Sequence, residues 1–186
     1  MHTFTNARDG KRCVHRKAVR LRDGEAAFVR PFVREDAPRI IEGFRRLSPE
    51  SRRRRFFIST PELPPEVLDR LIDVDGDQRV VLVAVSPEGA QLGGGRYIRH
   101  DEDPTRAELS VTVADEHQGR GLGTVLVDSL IETARANGVR VLDGHVLDDN
   151  GPMRQVLRNA GAHFSFDGEG ALAFEIDLAA PKAGAA

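Results

Sequence analysis

Between residues 118 and 124 the chain reads Gln118-Gly119-Arg120-Gly121-Leu122-Gly123-Thr124, three glycines at alternate positions joining two segments of different periodicity. Before it, Glu108–Val113 alternates, with Leu109, Val111 and Val113 on one face and Glu108, Ser110 and Thr112 on the other, as in a half-buried strand. After it, Leu122–Asn137 sets Leu122, Val125, Leu126, Leu130, Ile131 and Ala134 at helical spacing and stops at the C-cap pair Asn137-Gly138. Glycine lets the main chain approach a ligand without Cβ interference, and a helix start directs several N–H groups, at the positive end of the helix dipole, toward whatever lies in front of it. The unit reads as a pyrophosphate site, or as a tight strand-to-helix connection.

The flanking chain fits around this unit. Ala26–Phe32 alternates as a first strand, and Arg34–Leu47 carries Ala37, Ile40, Ile41, Phe44 and Leu47 at helical spacing. Ser48-Pro49-Glu50 signals a second helix, with an N-cap hydroxyl, a proline at the first helical position and an early acid. That helix carries Arg52–Arg55, which has the look of a solvated face, and ends in Phe56-Phe57-Ile58. A short helix over Glu66–Val74 follows, then Val80–Val85, a β-branched strand buried on both faces. Its hairpin partner Leu92–Ile98 contains Gly93, Gly94 and Gly95, which predict a bulge or a close backbone approach. Strand Val139–Val146, helix Gly151–Ala160 and a terminal hairpin, Ala162–Phe166 with Ala171–Leu178 turned at Asp167-Gly168, complete an α+β chain without repeats.

A length of 186 residues with 40% hydrophobic composition predicts one domain with one core. The domain is expected over 25–178, between a basic tail at 1–24, with order beginning at Ala26, and a short tail at 179–186. The net charge of −2 hides an asymmetry: residues 1–58 hold 16 of 27 Lys and Arg but only 7 of 29 Asp and Glu. No aromatic residue interleaves the basic tail for base stacking, so nucleic acid is not expected as a partner. The single cysteine, Cys13, cannot close an internal disulfide and no metal site is suggested. The longest apolar run is the six residues Val80–Val85, against the ~20 needed to span a bilayer, and no signal peptide is visible. A cytoplasmic protein without a membrane partner is the expectation, as a monomer or homodimer.

Three phosphate-binding patterns compete for the glycine turn. A P-loop requires Gly-Lys followed by Ser or Thr, and no lysine stands between Lys17 and Lys182. A dinucleotide fingerprint would use Gly119 and Gly121 but meets Thr124 at the third glycine position, although Asp143 stands near the place of its ribose-binding acid. The third pattern fits more of the chain: Glu108–Val113 followed by Gln118-Gly119-Arg120-Gly121-Leu122-Gly123 closely resembles motif A of the GCN5-related N-acetyltransferase (GNAT) superfamily. Asp149-Asn150-Gly151-Pro152-Met153 through Asn159-Ala160-Gly161-Ala162-His163-Phe164, and upstream Val29-Arg30-Pro31 with Glu35-Asp36-Ala37, extend the resemblance over roughly 26–178. Arg45 to Arg52 with Phe56-Phe57, and Ala107-Glu108, resemble more narrowly the bacterial protein lysine acetyltransferases.

The resemblance implies a GNAT fold, an open, mostly antiparallel mixed sheet whose strands four and five splay apart, with flanking helices. The pantetheine arm of acetyl-CoA would lie in the splay against the main chain at Val111 and Val113, and the pyrophosphate on the amides of Gln118, Gly119, Arg120, Gly121, Gly123 and Thr124. The Arg120 side chain would add a phosphate contact or be a solvated turn residue. Asn150 would point at the pantetheine or the departing sulfur, or simply cap its helix. The implied reaction is acetyl transfer from acetyl-CoA, without a metal, to a primary amine, with a protein lysine, such as one on an acyl-CoA synthetase, favoured. The alternatives are a small amine or amino acid as acceptor, and an acyl-CoA sensor without catalysis. A fused regulatory domain like those of some relatives is not expected in a chain of this length.

An ordinary lysine is neutral in only about one molecule in 2,500 at pH 7, a deficit of about 4.6 kcal/mol, so a base is needed. The resemblance assigns it to Glu108, unless that residue merely pairs with Arg106 or Arg96. Leu157 stands where many relatives have an acidic tyrosine, and the only tyrosine is Tyr97, so no obligatory side-chain acid is expected. His117 lies in the turn before the phosphate site, where packing or a phosphate-facing position is favoured over acid-base work.

Overall fold

The computed structural model describes residues 16–56, 60–166 and 170–179. Cys13, Phe57, Ile58 and the turn at Asp167-Gly168 lie outside the described residues.

Among the described residues the strands are β1 (Lys17–Arg20), β2 (Ala26–Pro31), β3 (Arg79–Val85), β4 (Gln91–Arg99), β5 (Arg106–Val113), β6 (Val141–Leu147), β7 (His163–Phe166) and β8 (Ala171–Asp177). The helices are α1 (Ala37–Arg46), α2 (Pro49–Phe56), α3 (Pro65–Ile72), α4 (Leu122–Ala136) and α5 (Gly151–Asn159). All eight strands form one open sheet in the order β1-β2-β3-β4-β5-β6-β8-β7, antiparallel except where β5 meets β6. That parallel pair is short: Arg106 to Glu108 oppose Val141 to Asp143, and beyond Asp143 strand β6 pairs only with β8. The strands expected as the fourth and fifth are therefore the ones that separate, and an extra first strand renumbers them β5 and β6.

That extra strand corrects the expectation that order begins at Ala26. Lys17–Arg20 pairs with β2, Lys17 opposite Val29, and the chain leaves it through the buried Leu21. The segment shows no apolar period because it is an edge strand of four residues, three of them solvent-facing. Pairing with β2, not local preference, makes it a strand, and Lys17 is tied to Glu132 of α4 at 3.2 Å.

The main core lies between α4 and one face of the sheet, where Leu126, Leu130 and Ile131 pack on β3, β4 and β5. The glycines of β4 make this approach possible. A Cβ on Gly95 would stand 2.7 Å from Leu130 Cδ1, and one on Gly93 2.7 Å from Thr112 O, so no side chain fits under the helix there. The three glycines pair regularly with Ala84, Val83 and Leu82, and the register shift lies just beyond them, between Ala84 and Val85, so of the two expectations close approach is the one that applies to the glycines themselves. A smaller core on the opposite face joins Phe32, Val83 and Val85 with Ala37, Ile40 and Ile72. Asp36, only 1% exposed, anchors that side by accepting two hydrogen bonds from Arg30, at 2.6 and 2.8 Å. Burial alone would raise the Asp36 carboxyl, but the Arg30 bond and the Val33 N–H outweigh it and hold it below its ordinary value.

The arginine run of α2 is not a uniformly solvated face. Arg52 is 8% exposed, with its guanidinium 5.8 Å from the centre of the Phe44 ring. The stem of an arginine can bury while its head finds a partner, and helix α1 supplies an aromatic one. Among the described residues, no helix is long and apolar enough to cross a membrane.

Candidate active site

Where β5 and β6 part, they open a cavity of about 690 Å³, within the usual size range for a small-molecule or cofactor site. Glu108, Val111, Val113, Gln118, Gly119, Gly121, Gly123, Thr124 and Asn150 all line it. Of the candidate site residues, only Arg120 does not. The splay leaves the edge of β5 beyond Glu108 unpaired on that side, which is what an extended ligand needs if it is to bond like a strand.

At one end the wall is main chain. Gly119 and Gly121 take φ of +72° and +88°, conformations open to glycine at little cost, and Gly121 is the N-cap of α4. The turn thereby brings the start of a 15-residue helix, whose first-turn N–H groups have no partner within the helix, to this end of the cavity. Arg120 turns its side chain out of the cavity. Its guanidinium pairs with both Asp23 and Glu25 and donates to His117 Nδ1 at 2.7 Å. Because arginine can only donate, His117 Nδ1 is the acceptor in this contact, which holds the ring against Arg120. The cation that does line this end is Arg22, from the β1–β2 turn.

Asp115 fastens this end to α2. It accepts from the Ser48 amide at 2.8 Å, Ser48 Oγ at 3.1 Å, Ser51 Oγ at 2.5 Å and Gln118 Nε2 at 3.2 Å. Burial would raise the Asp115 carboxyl, but the hydrogen bonds from Ser51 and Ser48 outweigh it and keep it below its ordinary value. Ser48 also caps α2, its Oγ accepting from Ser51 N at 3.1 Å, as the Ser-Pro-Glu signal predicts.

At the other end the wall is side chain. Arg54 and Arg55 of α2 line the cavity with Glu108, whose side chain is exposed. Arg96 stands opposite Ser110 in the β4–β5 pair, so it shares a face with Glu108 two residues away. Burial and the nearby Arg96 lower the Arg55 guanidinium to about 9, with Glu108 opposing, and it stays charged at neutral pH. Burial also lowers Arg96, again opposed by Glu108. Arg106, the other candidate partner for Glu108, instead holds Asp143 at 3.0 Å and Glu175.

Two further residues have definite places. Asn150 caps α5, accepting from Met153 N at 3.3 Å, while also lining the cavity. Tyr97 is fully buried, accepts from Asn137 Nδ2 at 2.6 Å and has its phenol raised to about 12, chiefly by burial, so it is remote from any proton transfer in the cavity. Arg22, Arg54, Arg55, Asp115 and His145, which also lines the splay, carry no signal of their own in the sequence. Their place depends on how β1, α2 and β6 pack, and no local pattern carries that.

Comparison with known proteins agrees with this geometry. The sequence profile of the Acetyltransferase (GNAT) family matches residues 43–162. The chain is 32% identical over 161 residues to "Acetyltransferase Pat" of Mycolicibacterium smegmatis, covering 86% of this chain and 48% of that protein. It is 40% identical over 123 residues to "Acetyltransferase PA5475" of Pseudomonas aeruginosa, covering 64% of this chain and 66% of that one. The chain thus spans about half to two thirds of these relatives' length. The crystal structure of the GNAT domain of S. lividans PAT superposes with a TM-score of 0.81 at 32% identity, covering 87% of this chain and 96% of that one. With the splayed sheet, the glycine turn and these relatives in agreement, the chain belongs to the acetyltransferase (GNAT) family.

Proposed function

We propose that the chain transfers an acetyl group from acetyl-CoA to a primary amine, with a protein lysine as favoured acceptor and Glu108 as general base. One observation carries the reading: a single cavity joins the glycine turn, at the start of α4, to a carboxylate on the polar face of β5. The preference for a protein lysine rests on the resemblance of Arg45 to Arg52 and Ala107-Glu108 to the bacterial protein lysine acetyltransferases.

The residues fit the cosubstrate in type and order. The unpaired edge at Val111 and Val113 would offer main-chain groups to a pantetheine amide, and on this reading the pyrophosphate would take the amides of Gln118, Gly119, Arg120, Gly121, Gly123 and Thr124, the Gln118 N–H sharing its bond to Asp115 O at 3.3 Å. Bound acetyl-CoA supplies a thioester whose thiol, with an ordinary pKa near ~8.5, leaves readily as thiolate, so no side-chain acid is required.

Glu108 receives the proton that the acceptor nitrogen loses as its bond to the acyl carbon forms and the carbon–sulfur bond breaks. A carboxylate with the ordinary value of ~4.3 does not strip an ammonium unaided. Arg55 and Arg96 supply help: two guanidinium groups near Glu108 disfavour a third cation, which favours the neutral amine. A water relay to Glu108 completes the path.

The test is an acetyl-CoA activity screen over small amines and an acyl-CoA synthetase, run with Glu108→Gln beside the wild type. Loss of a general base lowers kcat by about 10²- to 10⁴-fold while acetyl-CoA still binds. Unchanged turnover would remove Glu108 from the role, and binding without turnover on any acceptor would favour a sensor.

A further inference from the structure

The charges around the glycine turn are shared out in a way its sequence does not suggest. Arg120, the cation within the turn, is occupied by Asp23 and Glu25, which lie in the β1–β2 connection. Arg22 N donates to Arg120 O at 3.0 Å, so the hairpin is bound to the turn by main chain and by two ion pairs. The docking delivers a different arginine. Arg22 Cγ and Nε lie 3.3 and 3.4 Å from where a Cβ on Gly121 would stand, and Arg22 lines the cavity beside Gly119 and Gly121.

We propose that Arg22 is the cation that binds the pyrophosphate of the acyl-CoA, and that Arg120 is the strut that holds the hairpin carrying it. This rests on the acyl-CoA reading of the cavity. The turn's N–H groups carry only partial charges, so a guanidinium over Gly121 adds a full charge and a forked donor to the same phosphates. The division of labour has an electrostatic reason. Asp23 and Glu25, left uncompensated, would repel a pyrophosphate well inside the ~10 Å screening length. Arg120 pairs with both and offsets one of their two charges, and that engagement keeps it from the ligand. Gly121 is required twice, for its positive φ and for the space that the Arg22 stem fills.

Calorimetric titration of the whole chain with acetyl-CoA, dephospho-acetyl-CoA and acetyl-pantetheine tests this. Arg22→Gln is expected to weaken acetyl-CoA about tenfold, as loss of a charged hydrogen bond at an exposed position does. The same loss is expected with dephospho-acetyl-CoA, which keeps the pyrophosphate, so the preference for either over acetyl-pantetheine shrinks about tenfold. Arg22→Lys restores part of the loss. Arg120→Gln weakens binding through the released hairpin. The double variant matches the weaker of the two single variants, because both act through one contact. Melting temperatures of all variants check that the domain stays folded. Arg22→Gln binding acetyl-CoA within twofold of the wild type would overturn the proposal, as would a loss confined to ligands with the 3′-phosphate. A wild type that binds no acetyl-CoA would instead overturn the acyl-CoA reading itself.

Discussion

At the glycine turn the cavity is walled by one short stretch of chain, Gln118 to Thr124, whereas at Glu108 it is walled by side chains from α2 and β5, with Arg96 of β4 beside Glu108 on the same sheet face. On the proposed reading the first end would meet its ligand with amides and a helix dipole, features that any amino acid could supply if the backbone could take the path. Glycine is what permits that path, and so the sequence must display it. The second end needs particular charges, Arg54, Arg55 and Arg96 around Glu108, brought together across more than fifty residues. It is fixed by packing and leaves no spacing to read. The proposed donor end is therefore the more legible, and the proposed acceptor end is where related chains can differ in substrate.

The largest expected effect falls on the glycine turn. Gly121→Val places a β-branched residue at φ +88° and drives its Cβ into Arg22, at 3.3 Å. A forced conformation of this kind costs about 1–3 kcal/mol, so acetyl-CoA binding is expected to weaken by up to ~100-fold by calorimetry. Gly123, inside α4, is different: the nearest atom to an added Cβ is Val156 Cγ2 at 3.8 Å. Gly123→Ala is expected to change unfolding free energy by less than about 0.5 kcal/mol. Equal destabilisation by the two substitutions would erase the distinction between a glycine needed for its conformation and one that the fold does not require.

Asp115 joins the two ends, and its removal has a smaller effect. Asp115→Asn keeps one acceptor oxygen but loses the charge that Ser48, Ser51 and Gln118 bond to, at a cost of about 1 kcal/mol for a half-buried group. Its pH dependence has a definite sign. The folded carboxyl lies below its unfolded value of ~3.9, so its stabilisation is complete above that pH and disappears as pH falls through the lower folded value. Denaturant melts of wild type and Asp115→Asn should differ at pH 7 and converge in strong acid. A gap that persists there would mean the shape of the residue matters and its charge does not.

Legibility follows the same division. The strand Glu108–Val113, the helix from Leu122, the Ser48 cap and the Asn137-Gly138 stop are readable because each is specified by residues within one turn or one strand of itself. Strand β1 is not, since its four basic and small residues become a strand only through β2. The arginine run reads as solvated because charge in a helix usually is. Phe44 and the cavity draw Arg52, Arg54 and Arg55 inward, and neither is announced by the run itself. Arg120 stands inside the phosphate motif and suggests a phosphate contact, yet Asp23 and Glu25, almost a hundred residues earlier, take it.

Everything at both ends depends on the splay between β5 and β6 being an acyl-CoA site, and the glycine turn on its own also admits a dinucleotide. Calorimetry of the wild-type chain with acetyl-CoA and NAD side by side separates them most directly. Saturable one-to-one binding of acetyl-CoA, with no comparable heat from NAD, is the predicted result. Preferential binding of NAD would contradict it.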